Sequence, residues 1–293
     1  IKKGRFSIIV GARSALFTPM KNLGLIIVDE EHDYSYKQDR VMPYYHARNT
    51  ALMRAKFAEI PIVLGSATPS MEMYYQKITK RITWTELKNR YGGANLPSVQ
   101  MVDMMEEIKK NDNFKYFLSS ELKIEIQNCL DNSEQVILML NRRGYATVQQ
   151  CLCCSEILNC PNCSISLTYH RKGEKLICHY CDFKEKIGII CKSCGSSEVH
   201  FLGSGTQKVE EELIHYFPKV RILRMDIDSV QSKGGHQKIL TKFGNGEAEI
   251  LLGTQMIAKG LDFPDVTLVG VLNADIGVFM PDFRAGERNF QLI

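Results

Sequence analysis

Apolar positions in this chain fall in short unbroken runs rather than in alternation. Phe6-Ser7-Ile8-Ile9-Val10, Leu25-Ile26-Ile27-Val28 and Pro61-Ile62-Val63-Leu64 each end in small or polar residues, the pattern of strands buried on both faces. Between the last two, residues 46–57 carry helical spacing. Strand, crossover and strand predict a parallel sheet with helices on its faces, where polar ligands collect at the carboxyl ends of strands. Asp29 and Ser66 stand at such ends. A second set of strands is expected at Gln135–Leu140, Val220-Arg221-Ile222-Leu223, Glu249-Ile250-Leu251-Leu252 and Val266-Thr267-Leu268-Val269, alternating with helices over 207–217 and 236–243. This predicts a second α/β lobe, with 86–97, carrying Gly92-Gly93 and Pro97, as the connection.

The 293 residues, 44% hydrophobic and 24% charged, suffice for two globular cores and argue against disorder. A net charge of +4 is too mild to identify a partner. The apolar runs are far short of a membrane span and no signal-peptide pattern opens the chain, so a cytoplasmic protein without membrane contact is expected. The chain starts at Ile1, and 287–293 reads as a helix without a C-cap, so a piece of something longer is expected.

Eight of the ten cysteines form Cys-x-x-Cys pairs: Cys151/Cys154, Cys160/Cys163, Cys178/Cys181 and Cys191/Cys194. Each pair sets two thiolates on one tight turn, and tetrahedral zinc needs two such turns facing each other, so two Zn²⁺ sites are expected in place of disulfides. Five residues separate the first pair from the second and fourteen the second from the third. Those fourteen hold a hairpin pattern, Ile165-Ser166-Leu167-Thr168-Tyr169, a turn at Lys172-Gly173-Glu174, then Leu176-Ile177. The hairpin favours a nested arrangement, the middle pairs sharing one metal and the outer pairs the other; a crossed one stays open, because spacing alone does not fix connectivity. Four-thiolate sites leave no position for water, so the metal's role is to fold the segment. The segment interrupts the second lobe after its first strand and reads as an insertion. Cys153 is a spare thiol in the first turn, and Cys129 suits a buried helical position.

Asp29-Glu30-Glu31-His32 follows the second apolar run. One carboxylate after a buried strand suits a magnesium-bound water and a second suits the attacking water, although adjacent acids there also cap helices. Gly65-Ser66-Ala67-Thr68-Pro69 either bridges the box to a neighbouring lobe or is a capped turn before a helix starting near Pro69. Arg13 and Ser14 suit phosphate contact or a solvated loop. Tyr34, Tyr36, Lys37, Arg40, Tyr44 and Tyr45 interleave rings and cations, as stacked bases and phosphates require; packing of the loop on its own lobe is the alternative. Arg142 and Arg143 offer paired phosphate donors or are ordinary surface arginines.

Leu25 to His32 with Ser35-Tyr36-Lys37-Gln38, Gly65-Ser66-Ala67-Thr68-Pro69-Ser70, Leu140-Asn141-Arg142-Arg143-Gly144-Tyr145, the four cysteine pairs and Gly253-Thr254-Gln255-Met256-Ile257-Ala258-Lys259-Gly260 together resemble the PriA family of superfamily 2 replication-restart helicases. The resemblance covers nearly the whole chain. It implies an α/β protein of two RecA-like parallel-sheet lobes with ATP and Mg²⁺ between them, and a zinc-ribbon-like insertion with two Zn²⁺ in the second lobe. Residues 1–95 would belong to the first lobe, 96–150 to the connection and start of the second, 151–200 to the insertion and 201–293 to the rest of the second. It further implies 3′-to-5′ movement on DNA to restart stalled or abandoned forks by primosome assembly. The partners implied are forked and single-stranded DNA, a single-stranded-DNA-binding protein, and primosome and helicase-loading proteins. Asp29 would hold magnesium and Glu30 activate water, with Gly260 and Asp262 facing the nucleotide. Glu31, His32, Ser66 and Thr68 would couple hydrolysis to movement. Arg13, Ser14, Tyr36, Lys37, Arg142, Arg143, Thr254, Gln255 and Lys259 would meet DNA. No Gly-x-x-x-x-Gly-Lys-Ser/Thr loop occurs, Gly203-Ser204-Gly205-Thr206-Gln207-Lys208 having the wrong spacing, and the family's arginine-rich motif is absent. These residues alone are therefore expected to hydrolyse ATP poorly. A non-hydrolysing zinc-ribbon binding module and another superfamily 2 translocase, including an RNA helicase, are the competing readings.

Overall fold

The computed structural model describes residues 6–39, 41–89, 96–111, 117–141, 148–170, 173–202, 206–226, 235–254, 257, 262–280 and 282–293. The chain divides into two units, Ile1–Leu96 and Pro97–Ile293. Among the described residues, no helix is long and apolar enough to cross a membrane.

In the first unit, β1 (Ile26–Val28) pairs in parallel with β4 (Ile62–Leu64). A short antiparallel ribbon, β2 (Lys37–Gln38) and β3 (Tyr45–His46), leads into α1 (Ala47–Phe57), which forms the crossover to β4. After β4 comes α2 (Met71–Ile78), capped by Ser70, whose hydroxyl accepts from the Met73 amide. The strand expected over 6–10 is not one. That segment joins no sheet among the described residues, and Ile8 and Val10 are 81% and 93% exposed. An apolar run becomes a strand only where a neighbour supplies ladder hydrogen bonds, and no described neighbour does.

The second unit carries α3 (Met104–Asn111) and α4 (Ser120–Asp131), then β5 (Gln135–Leu140). Next come β6 (Val148–Cys151), β7 (Thr168–His170), β8 (Lys175–Ile177), β9 (Lys184–Lys186) and β10 (Val199–Leu202). It closes with α5 (Thr206–Tyr216), β11 (Ile222–Met225), α6 (Gly235–Gly244), β12 (Ile250–Gly253), β13 (Val266–Leu272) and α7 (Ala285–Leu292). Four strands form one parallel sheet in the order β11-β12-β5-β13. Every residue of β5 is buried, as the unbroken apolar run requires of a strand covered on both sides. Successive side chains go to opposite faces: Val136, Leu138 and Leu140 join Ile126 of α4 and Val209 and Leu213 of α5, whereas Ile137 and Met139 join Phe243 of α6. Each fully buried aliphatic side chain there contributes about 1.5–3 kcal/mol.

The cysteine segment sits between β5 and α5, and its ends are joined by the antiparallel pair β6–β10, with Val148 opposite Leu202 and Cys151 opposite Val199. That pairing sets the two ends of the segment side by side. Inside it, β7, β8 and β9 form an antiparallel sheet.

Candidate metal centres and carboxylate site

The four cysteine turns share one backbone design. The first cysteine of each pair, Cys151, Cys160, Cys178 or Cys191, accepts at its carbonyl from the amide four residues on: Ser155 at 2.9 Å, Ser164 at 2.9 Å, Asp182 at 3.0 Å and Gly195 at 2.9 Å. Its own amide donates to the carbonyl five residues on, Glu156, Ile165, Phe183 or Ser196. The residue after each second cysteine takes positive φ: Ser155 63°, Ser164 54°, Asp182 57° and Gly195 74°. This left-handed residue reverses the chain so that amides surround the sulfurs. Residue types that tolerate turns occupy those positions, a signal the sequence carried beside the cysteine spacing.

The turns face each other as two clusters, Cys151, Cys154, Cys191 and Cys194 in one and Cys160, Cys163, Cys178 and Cys181 in the other, with all four sulfurs of a cluster within 4.8 Å of one another. This is the nested arrangement. The Cys151–Cys194, Cys154–Cys191 and Cys160–Cys181 sulfurs stand 3.6 Å apart. A tetrahedral ion with bonds of ~2.3 Å spaces its thiolates about 3.8 Å apart, whereas a disulfide needs ~2.05 Å, so the clusters fit zinc. Amide donors from Cys194 and Ser193 lower the Cys191 thiol to about 6. The Phe183 amide lowers Cys181 to about 7, and hydrogen bonding to Cys181 pushes Cys163 up to about 12. Each cluster thus holds one thiol shifted toward its thiolate and others shifted the opposite way, and its four sulfurs could hold one dication. The Cys160 cluster packs with Leu167 and Leu176, both fully buried.

In the first unit, Asp29 follows β1 and its Oδ1 accepts from the Glu30 amide at 3.0 Å. Glu30 adopts φ 47°, a conformation disfavoured outside glycine, which turns the box sharply. The β1–β4 ladder continues past the strands, Gly65 donating to the Val28 carbonyl at 2.8 Å and Glu31 to the Gly65 carbonyl at 3.0 Å. That alignment sets Ser66 beside the box. His32 Nδ1 lies 2.6 Å from Ser66 Oγ and 3.4 Å from Glu30 Oε2, and Nε2 lies 3.5 Å from Thr68 Oγ1. His32 therefore joins the exposed Glu30 carboxylate to the Ser66–Thr68 turn.

Glu31 is placed differently from its neighbours. It is 2% exposed and accepts from Arg48 Nη1 and the Ser70 amide, both at 2.7 Å, and from Ser70 Oγ at 2.9 Å. It ties the box to the first turn of α1 and the cap of α2, a role the sequence reading lacked because Arg48 is seventeen residues away. Arg48→Met strands a buried carboxylate, with an expected cost of about 3–5 kcal/mol. Thermal unfolding of the chain checks this, and an unchanged Tm would refute it.

The tyrosine loop folds back on the box. Tyr36 OH donates to the Asp29 carbonyl at 2.6 Å, and its pKa is raised by burial and then by Asp29 and Glu30. Arg13 spends Nη1 on the carbonyls of Ser35 at 2.9 Å and Lys37 at 3.0 Å, bracing the loop, while Ser14 is exposed. Lys37 lies 5.8 Å from the Tyr34 ring centre, and Tyr44 is exposed. In the second unit Thr254 follows β12, its amide 3.4 Å from the Met225 carbonyl, and Asp262 is exposed. Arg40, Arg142, Arg143, Gln255, Lys259 and Gly260 lie outside the described residues.

The sequence profile of the PriA DNA helicase Cys-rich region (CRR) domain matches residues 160–186. Among curated proteins, the replication restart protein PriA of Bacillus subtilis (strain 168) is 48% identical over 293 residues, covering 100% of this chain and 36% of its own length. That of Chlamydia pneumoniae is 44% identical, covering 99% and 39%, and that of Rickettsia felis 42% identical, covering 100% and 45%. The chain thus spans well under half the length of these relatives. Among solved structures, S. cerevisiae Dbp5 L327V bound to RNA and ADP BeF3 aligns with 88% of this chain and 46% of its own at 12% identity and a TM-score of 0.34, too slight a likeness to bear on the fold.

Proposed function

Because this chain belongs by sequence to the PriA family of replication restart proteins, we propose that it is the motor segment of an ATP-dependent 3′-to-5′ DNA helicase acting at stalled or abandoned forks. Alignment of the whole chain at 48% identity carries the reading. On it, the two units are parts of RecA-like lobes, and Asp29 and Glu30 serve the magnesium ion and the attacking water of ATP hydrolysis. Adjacent carboxylates at a strand end suit a hard cation that keeps several waters. Bound magnesium supplies charge neutralisation at the phosphates; the chain's own contribution is to fix Asp29 through the Glu30 amide and to hold Glu30 against His32. His32, Ser66 and Thr68 couple the site to lobe movement, and Glu31 acts in that coupling by anchoring the box to Arg48 and Ser70. Gly260 and Asp262 face the nucleotide. Ser14, Tyr36, Lys37, Arg142, Arg143, Thr254, Gln255 and Lys259 meet DNA, with Arg13 contributing as the brace of the tyrosine loop.

Eight thiolates hold two structural zinc ions in the insertion, which presents a surface to the fork or to other primosome proteins. Single-stranded-DNA-binding protein and helicase loaders are the protein partners, in the cytoplasm. The 293 residues alone, without a phosphate-cradling loop or an arginine-rich motif, turn over ATP poorly. The test is ATP turnover by the chain extended to the length of its relatives, with forked DNA, single-stranded DNA, duplex RNA and no nucleic acid. Stimulation greatest with forks supports the reading. Stimulation by duplex RNA moves it to another translocase, and no turnover by folded, zinc-loaded protein leaves a non-hydrolysing binding module.

A further inference from the structure

Two imidazoles on the insertion face each other outside both thiolate clusters. His170 ends β7, and His179 stands between Cys178 and Cys181 in the third cysteine turn. Their Nε2 atoms lie 3.2 Å apart, with ring centroids at 5.0 Å and planes inclined by 51°, so the rings meet at their nitrogens rather than stack. His179 is exposed and His170 half-buried, which leaves the pair open to solvent.

A tetrahedral ion with Zn–N bonds of ~2.05 Å holds two nitrogens about 3.3 Å apart, so the spacing matches a shared ion. The same spacing suits one imidazole donating to the other, with the two rings in opposite roles. A neighbouring hydroxyl favours the ion. Thr168 lies two residues before His170 and so on the same side of β7. It is 6% exposed, and its Oγ1 has no hydrogen-bond partner among the described residues. A hydrogen bond between the two rings leaves that buried hydroxyl unpaired, whereas a water held by an ion at the histidines supplies its partner. Among the described residues no third histidine, cysteine or carboxylate joins the pair, so water completes the coordination. Imidazole nitrogens select a borderline transition ion such as zinc over magnesium or calcium, which take oxygen ligands.

We propose that His170 and His179 bind a third, exchangeable zinc ion that ties β7 to the third cysteine turn. Its positions open to water let it leave on dialysis, whereas the closed four-thiolate sites keep their metal. The proposal is independent of the helicase reading, since it requires only the folded insertion. Its test dialyses the zinc-loaded chain, extended to the length of its relatives, against a zinc series beside His179→Gln and Thr168→Val. At saturation the wild type should hold one ion per chain more than His179→Gln, and Thr168→Val should bind that ion about 10–100-fold more weakly. Zinc-free dialysis should bring all three proteins to the same content. Equal uptake by wild type and His179→Gln overturns the proposal and leaves the pair as a hydrogen bond. If His179→Gln also loses a cluster ion, anomalous scattering at the zinc edge from wild-type crystals grown in excess zinc decides. A peak between His170 and His179 upholds the site, and peaks at the two thiolate clusters alone overturn it.

Discussion

Glu30→Gln is expected to lower DNA-stimulated kcat by about 10²–10⁴-fold in the chain extended to the length of its relatives, the range for losing a positioned proton acceptor. The carboxylate and its amide have the same shape, so the bond to the Asp29 side chain, made by the Glu30 backbone, survives the change. So does the buried Glu31–Arg48–Ser70 anchor, since it uses the next residue. What is lost is the anionic oxygen that His32 meets at 3.4 Å. DNA affinity and Tm should therefore stay at wild-type values while turnover collapses. A variant retaining a tenth or more of wild-type kcat would remove Glu30 from the water-activating role. Equal losses of DNA affinity and kcat would instead make the residue part of the fold. Measuring kcat, DNA affinity and Tm on one preparation separates these outcomes.

Much of this arrangement was legible in the residues because it depends on short-range rules. Gln135–Leu140 reads as a doubly covered strand, and its six residues are all buried. The fourteen residues between the second and third cysteine pairs spell a hairpin, and that hairpin is what brings Cys160/Cys163 against Cys178/Cys181. What stayed hidden depends on contacts between distant positions. No periodicity announces that Glu31 points inward while Glu30 points outward; the positive φ of Glu30 decides that. Arg13 looks like a free cation beside a strand, yet it is held by carbonyls 22 and 24 residues away. The apolar run at 6–10 fails as a strand for the complementary reason, since hydrophobicity marks what can be buried but not whether a ladder partner is present.

Removal of zinc should have the largest structural effect, because a site absent from the unfolded chain turns its binding energy into folding energy, about 10–16 kcal/mol for structural zinc. The loss should be divisible. Cys178→Ser removes one of four thiolates from the Cys160 cluster, whose sulfurs share a small core with Leu167 and Leu176. The outer cluster draws on Cys151, Cys154, Cys191 and Cys194, and Cys151 is itself paired with Val199 in the β6–β10 ladder. Metal analysis should therefore fall from two zinc ions per chain to one in Cys178→Ser, with the hairpin region becoming protease-sensitive while the four-stranded parallel sheet stays protected. Cys191→Ser should also lose one ion, from the other cluster, and in that case the β6–β10 closure should loosen. Because the metal binds thiolates, protons compete with it, so zinc should leave both sites as pH falls and return as it rises. In the extended chain, Cys178→Ser should impair unwinding or assembly more than basal ATP turnover, since its cluster lies in the insertion and Asp29 and Glu30 lie in the other unit. Loss of both zinc ions from the single variant would mean the clusters are not independent, and equal loss of turnover and unwinding would end the separation of roles between metal and motor.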